Sequence, residues 1–307
     1  MSNTFKVTDY DIIYLSYDEP NAEKNYADLC KKVPWAKRVH GVEGSDAAHK
    51  ACAKLSETDR FITVDADNIV NEKFINQEIN FDEHEDLQHS VISWAGYNAV
   101  NGLMYGNGGL KCWPKKFVLG MKTHENADAN NVHAQVDFCW DINYIQMNSC
   151  FSTVYNNHTA QQAWRAGFRE GVKMALDRGM RVNKEEFAKL HWKNLHRLYV
   201  WLTVGTDAKN GLWAIYGARE GLYKTMATDW DFVNVRDFTY LNNYWELQVD
   251  KDESALLDKV RMLGSKLLNE LDVPIPVEPF NPEQSKFFKT VYQNPGRMQH
   301  QFIDIET

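Results

Sequence analysis

The chain lacks any run of 18 apolar residues and any Cys-x-x-Cys pair. The first absence leaves no segment long enough to cross a bilayer as a helix. The second, together with an odd set of five cysteines (Cys30, Cys52, Cys112, Cys139 and Cys150), argues against a zinc ribbon or a disulfide framework and for reduced thiols in a cytoplasmic setting. Met1-Ser2-Asn3-Thr4-Phe5 has no basic region leading into an apolar core, so no secretory signal is expected. No internal repeat and no low-complexity tract interrupts the chain. Positive charge is in deficit: 34 Lys and Arg face 42 Asp and Glu, a net charge of −8, which excludes a surface that is basic all over. Proline is scarce, with eight in 307 residues, and Pro274, Pro276, Pro279 and Pro282 are half of them. Their clustering predicts an extended strap over residues 273–307.

What is present is the composition of a globular protein, 44% hydrophobic and 25% charged, with ten Trp and fourteen Tyr whose amphipathic rings suit sugar and base sites as well as cores. Asp11 to Tyr17 reads as a strand, followed by the turn cluster Asp18-Glu19-Pro20-Asn21 and a helix through Lys32. A second strand spans Trp35 to Val42, a helix runs from Ser45 to Leu55, and Phe61-Ile62-Thr63-Val64 is a buried strand leading into Asp65-Ala66-Asp67-Asn68. Alternating strand and helix predicts an α/β fold with a Rossmann-type, mostly parallel sheet flanked by helices. Ligands in such sheets bind beyond the carboxyl ends of the strands, where Asp18, Asp65 and Asp67 all emerge. Side chains alternate along a strand, so Asp65 and Asp67 can point the same way and offer hard oxygen ligands to Mg²⁺ or Mn²⁺. A solvated turn is the plainer meaning of such a pair.

Three further stretches carry chemistry. Tyr105-Gly106-Asn107-Gly108-Gly109-Leu110-Lys111 places glycines at three of four positions, which permits close approach of backbone amides to a ligand. His133 to Asp141 contains Asp137 and Asp141, four apart and able to share a helix face. Phe151 to Tyr155 reads as a strand, and His158 follows it.

In this order the segments resemble the nucleotide-sugar half of GT-A glycosyltransferases over roughly residues 10 to 160. In that family the helix ahead of the acidic pair holds an Ala-Arg-Asn-x-Gly-like stretch near the diphosphate. Here Ala48-His49-Lys50-Ala51 stands in its place, keeping a positive charge and losing the glycine. The resemblance implies a GT-A-like domain over residues 1–160, with Asp65, Asp67 and His158 holding the metal. It further implies that Asp18 meets the base or ribose, Lys50 meets the phosphates, and Gly106, Asn107, Gly108 and Lys111 shape the donor site. The acidic residue facing the acceptor would be Asp137, with Asp141 as the alternative; an inverting enzyme uses it as general base.

From residue 161 the texture changes to helices. Trp164, Phe168, Val172 and Ala175 form an apolar stripe over Gln161 to Asp177, with Arg165, Arg169 and Lys173 beside it. A second helix, Lys184 to Leu202, repeats the pattern with Lys189, Lys193 and Arg197, and Ser254 to Leu271 is a third. Residues 161–272 thus form a mainly helical acceptor-side region. From His158 to Thr225 twelve Lys and Arg meet six Asp and Glu, so an acidic chain carries one basic segment. The two cationic stripes could follow a phosphate backbone, although solvated helix faces look the same in sequence.

Three stretches, Ile13 to Leu29, Val33 to Val42 and His158 to Gly171, resemble proteins of T-even-type bacteriophages. Some enzymes of that group place sugars, arabinose among them, on 5-hydroxymethylcytosine in double-stranded DNA. The resemblance therefore implies a UDP-sugar donor, UDP-arabinose being one candidate, a DNA acceptor and the host cytoplasm. Two alternatives stay open: a glycosyltransferase acting on a polysaccharide, lipid or protein, and a non-glycosyl nucleotide-binding α/β protein.

Overall fold

A computed structural model describes residues 4–80, 89–105, 109–126 and 142–292. The first half contains β1 (Thr4–Lys6), β2 (Asp11–Ser16), α1 (Ala22–Lys32), β3 (Lys37–His40), α2 (Ser45–Leu55), β4 (Arg60–Asp65), β5 (Asn68–Val70) and β6 (Glu78–Asn80). Then come β7 (Val91–Asn98), β8 (Met104–Tyr105), β9 (Leu110–Pro114), α3 (Lys115–Gly120) and β10 (Tyr144–Val154). β2, β4 and β7 are buried along nearly their whole length, as their unbroken β-branched and aromatic runs require.

The sheet is mixed, which corrects the expectation of a mostly parallel one. Its order is β3-β2-β4-β9-β7-β10-β5, with β8 added to β7. β3, β2 and β4 are mutually parallel, as are β7 and β10. β9 runs antiparallel to both β4 and β7, β8 to β7, and β5 to β10. Parallel neighbours need a crossover about a dozen residues long. β8 follows β7 after only five residues, so the chain turns back, and β8 and then β9 both run against β7.

The sheet also curls. β4 and β5 are four strand steps apart, about 19 Å in a flat sheet. The chain from Asp65 to Asn68 reaches only about 11 Å. Curling is what lets the end of β4 and the start of β5 be joined by Ala66 and Asp67 alone.

The second half is helical: α4 (Ala160–Met174), the small hairpin β11 (Leu176–Asp177) and β12 (Met180–Arg181), α5 (Trp192–Thr203), α6 (Gly211–Ala227), α7 (Phe238–Gln248), α8 (Leu256–Leu271) and α9 (Pro282–Val291). The helix expected over Lys184 to Leu202 is two elements. A 3-10 turn, Lys184–Lys189, precedes extended Leu190 and His191, and the His191 ring accepts the Lys193 amide at the start of α5. The strap expected to stay extended does so only as far as Asn281. There Asn281 and Gln284 form a capping box, Pro282 occupies the first turn, and the chain becomes helical.

Two features hold this half together. α4 and α6 cross backbone to backbone through reciprocal glycines. A Cβ on Gly167 would lie 1.9 Å from the Ala214 carbonyl oxygen, and one on Gly171 2.2 Å from that of Ala218. From the other side, Cβ atoms on Gly217 and Gly221 would lie 2.1 and 2.3 Å from the carbonyl oxygens of Trp164 and Phe168. Close approach sets Trp164 and Phe168, each fully buried, into the core with Trp245, Trp213 and Tyr244. The second feature is Arg219, which is wholly buried and donates to the carbonyls of Leu202, Val260, Pro276 and Val277 at 2.7 to 3.1 Å. It crosses α8 at Gly264, where a Cβ would sit 2.2 Å from its Nη1.

Gly217→Val should lower unfolding stability by about 3 kcal/mol, since nothing but backbone can yield to the added carbons. Gly120→Ala, with open space around it, should stay within about 0.5 kcal/mol. Urea unfolding of the two variants beside the parent chain checks both, and equal losses would refute the close crossing.

Candidate active site

The turn between β4 and β5 is fixed from three sides. The Ala66 carbonyl accepts from Asn25 Nδ2 and from the Tyr14 hydroxyl, each at 2.8 Å. The Asp65 amide donates to the Gly109 carbonyl at 3.2 Å, and the Gly109 amide donates to Asn68 Oδ1 at 3.3 Å. Gly109 must be glycine, because a Cβ there would lie 2.5 Å from Asn68 Nδ2 and 2.6 Å from Asp65 Cβ. On the third side Tyr155, leaving β10, donates its amide to the Asp67 carbonyl at 2.7 Å. The carboxylate of Asp67 accepts from Asn68 Nδ2 at 2.7 Å.

Charge is concentrated around this turn. Burial, then Asp65, then Glu19 push the Asp67 carboxyl up to about 7. His49, buried on α2, is pulled down by desolvation and held up in part by the field of Asp65, while its Nδ1 lies 2.9 Å from the Ser45 carbonyl oxygen. Lys111 on β9 also acts on His49. Arg165 and Arg169 on α4 feel Asp67, and Arg165 feels Asp18 and Glu19 as well.

The sequence-derived residues fall into three groups. Asp65, Asp67 and Lys111 stand at the strand ends around the turn, and Asp18 is exposed in the loop after β2. Gly106, Asn107, Gly108, Asp137 and Asp141 lie outside the described residues, although their neighbour Gly109 packs on Asp65. Lys50 faces Asp46 one helical turn back on α2, and the carboxyl of Asp46, which burial would raise, is held low by Asn126, Thr123 and Lys50. His49, one residue earlier, is the member of that stretch turned toward Asp65.

His158 is exposed. Its amide donates to Gln162 Oε1 at 2.9 Å and its carbonyl accepts from Asn210 Nδ2 at 3.2 Å. Among the described residues no group of three or more His, Cys, Asp and Glu stands together as a metal site, so Asp65, Asp67 and His158 are not gathered into one. The carboxylate pair nevertheless fits a divalent ion chemically. A buried carboxyl held near neutrality by a second carboxylate is relieved by a hard cation shared between them.

Of the six cations expected to follow a phosphate backbone, Arg165 and Arg169 are half-buried beneath Phe238, whose ring centre lies 4.7 and 4.6 Å from their guanidinium carbons. Arg197 stacks over Tyr105 at 4.8 Å, and Lys193 lies 5.5 Å from the ring of Trp192, which is 54% exposed. Lys189 is exposed and stands on the separate 3-10 turn, and Lys173 is half-buried near the end of α4. Glu19, His49, Asn68 and Phe238 were not singled out from sequence. Glu19 and Asn68 carried a signal, since each adjoins a residue that was; Phe238 carried none.

The raised Asp67 carboxyl has a stability consequence. The unfolded carboxyl ionises near pH 4 and the folded one near 7, so stability falls across that interval and the penalty is complete above about 7. Asp67→Asn should therefore stabilise the metal-free chain more at pH 8 than at pH 5, and Asp65→Asn should lower the Asp67 titration. Urea unfolding in chelator and carbon NMR of labelled aspartate check these; a gain independent of pH would refute the assignment.

No protein-family model matches this chain and no curated protein matches it, so the chemistry of the site rests on its own geometry.

Proposed function

We propose that the protein is a metal-dependent glycosyltransferase that moves a sugar from a UDP-sugar, UDP-arabinose among the candidates, to 5-hydroxymethylcytosine in DNA. The observation that carries the donor half is the turn itself. Its two carboxylates leave β4 at the carboxyl end of the parallel β3-β2-β4 group, with Gly109 packed so closely that no side chain could intervene. Ligands of α/β sheets gather at that end.

In this reading Asp65 and Asp67 hold Mn²⁺ or Mg²⁺, and a bound ion would neutralise charge growing on a leaving diphosphate. The chain's own groups do the rest. Tyr14, Asn25 and Gly109 fix where the carboxylates stand, so that no reorganisation is needed when charge develops. Asp18, exposed in the first loop, would meet the base or ribose. The acceptor proton is assigned to Asp137, or to Asp141, on the resemblance alone.

The DNA half is supported by the resemblance and by the cations of the helical region. Lys189, Lys193 and Arg197 remain candidates for phosphate contacts, and exposed Trp192 beside Lys193 offers a stacking surface next to a charge.

Incubating the protein with hydroxymethylated or unmodified DNA, Mn²⁺ and a panel of UDP-sugars, then weighing the digested nucleosides, tests both halves. The expected result is one pentose or hexose added to hydroxymethylcytosine only, lost on chelation and reduced at least a hundredfold in Asp67→Asn, since one charge-stabilising group is typically worth about 10² to 10³ in rate. UDP-sugar turnover without nucleoside gain would redirect the acceptor to a polysaccharide, lipid or protein. Metal-independent or absent turnover would remove the transferase reading.

A further inference from the structure

Arg165 and Arg169 are four residues apart on one face of α4, under one ring, and two like charges so placed repel each other. Among the described residues no carboxylate lies within ion-pair distance of either. Glu170, the acidic residue nearest in sequence, is engaged by the Tyr105 hydroxyl at 2.7 Å. Among the described residues the pair's one hydrogen bond to a side chain is from Arg165 Nη1 to Asn242 Oδ1 at 3.1 Å, and Asn242 also takes Gln161 Nε2. Arg169 Nε is buried with no hydrogen-bond partner. A buried guanidinium donor left unpaired is costly, and an anion at that nitrogen would relieve the cost.

The carboxylate of Asp67 acts on both arginines, those of Asp18 and Glu19 on Arg165, and that of Glu170 on Arg169, none of them in an ion pair with either. If they were structural counter-charges, contact would be the favourable arrangement. The carboxylates of the strand ends and the guanidiniums of α4 thus lie near enough to act on one another without pairing. A ligand that satisfies both carries a cation on one side and phosphate oxygens on the other. The Phe238 ring covers both guanidiniums, with its centre 4.7 and 4.6 Å from their central carbons, and arginine N–H groups not taken by protein acceptors are suited to phosphate oxygens.

We propose that Arg165 and Arg169 form a two-guanidinium phosphate subsite on the helix side of the Asp65-Ala66-Asp67 turn, taking the diphosphate of a metal-bound nucleotide, with Phe238 as the cover that keeps both arginines out of water. It deepens the donor reading above and rests on it only for the identity of the nucleotide. It also withdraws these two arginines from the DNA-facing set. They are positioned to receive charge on the leaving group, and Lys173, Lys189, Lys193 and Arg197 are left to the acceptor.

The test is calorimetric titration of the full chain with inorganic pyrophosphate and with UDP, each with and without Mn²⁺. Arg165→Ala and Arg169→Ala should each weaken pyrophosphate binding about tenfold or more, as expected for loss of a charge-assisted contact to phosphate. Arg169→Lys, which keeps the charge but not the fork, should recover only part of the loss. Phe238→Ala removes a side chain that is 40% exposed, so the fold should survive, and affinity should fall severalfold. Lys286→Ala, exposed on α9, is the control and should bind as the parent does. Thermal melts identify any variant that fails to fold, in which case Arg169→Lys and Phe238→Ala decide. Pyrophosphate binding unchanged in the arginine variants, or absent in the parent at millimolar concentration, overturns the subsite; so does a loss confined to hydroxymethylated DNA. If pyrophosphate binding depends on the arginines while no UDP-sugar is consumed, the subsite stands and the transferase reading fails. The reverse pattern, metal-dependent turnover untouched by the arginine variants, removes the subsite alone.

Discussion

Ala66 and Asp67 have to bridge two strands that a flat sheet would set about 19 Å apart, and that short reach shapes the molecule. The sheet curls until β5 returns beside the end of β4, and the closing seam falls at the two carboxylates. Everything near the seam is bound by the same condition. Tyr14 and Asn25 take the one free carbonyl of the turn, Tyr155 donates across to Asp67, and Gly109 is stripped of a side chain so that β9 can begin against Asp65. The Asp67 carboxyl is raised because the fold holds it out of water, first of all, and beside Asp65.

The helical half reaches this seam through a second steric condition. α4 carries the arginines, and α4 is held by α6 at a distance that only glycine allows. A wider crossing would move the arginines relative to the sheet by the width of a side chain. The packing of Trp164 and Phe168 behind α4 and the charge of Arg165 and Arg169 in front of it are therefore two results of one helix placement. The chain spends its small residues on position and its aromatic ones on filling the space behind.

Much of this was legible in the sequence where periodicity is local. α2 spans Ser45–Leu55 as the pattern indicates, and Trp164, Phe168, Val172 and Ala175 are all wholly buried. The acidic pair was found at a strand exit because a β-branched run ending in Asp-x-Asp has few other meanings. What escaped depends on relations between distant segments. Strand direction in the middle of the sheet turns on how β7, β8 and β9 connect, and composition does not encode that. Lys50 looked like the phosphate contact because it is charged, yet about 100° of helical rotation gives the inward direction to His49. The arginines of α4 read as a cationic stripe, following a phosphate backbone or merely solvated, because Phe238, 69 residues beyond Arg169, leaves no local trace. The break at Leu190 and His191 was hidden under an apolar spacing that both of its halves satisfy.

Arg219 gives the C-terminal strap a meaning beyond packing. Two of its four carbonyl acceptors, Leu202 and Val260, lie on helices, and the other two, Pro276 and Val277, belong to the strap that passes over Gly264. A charge this deep cannot be left with half its acceptors. As the chain is made in order, the interior of the helical half stays electrically unfinished until residues 276 and 277 have arrived, so the strap completes the charge pairing of helices made before it.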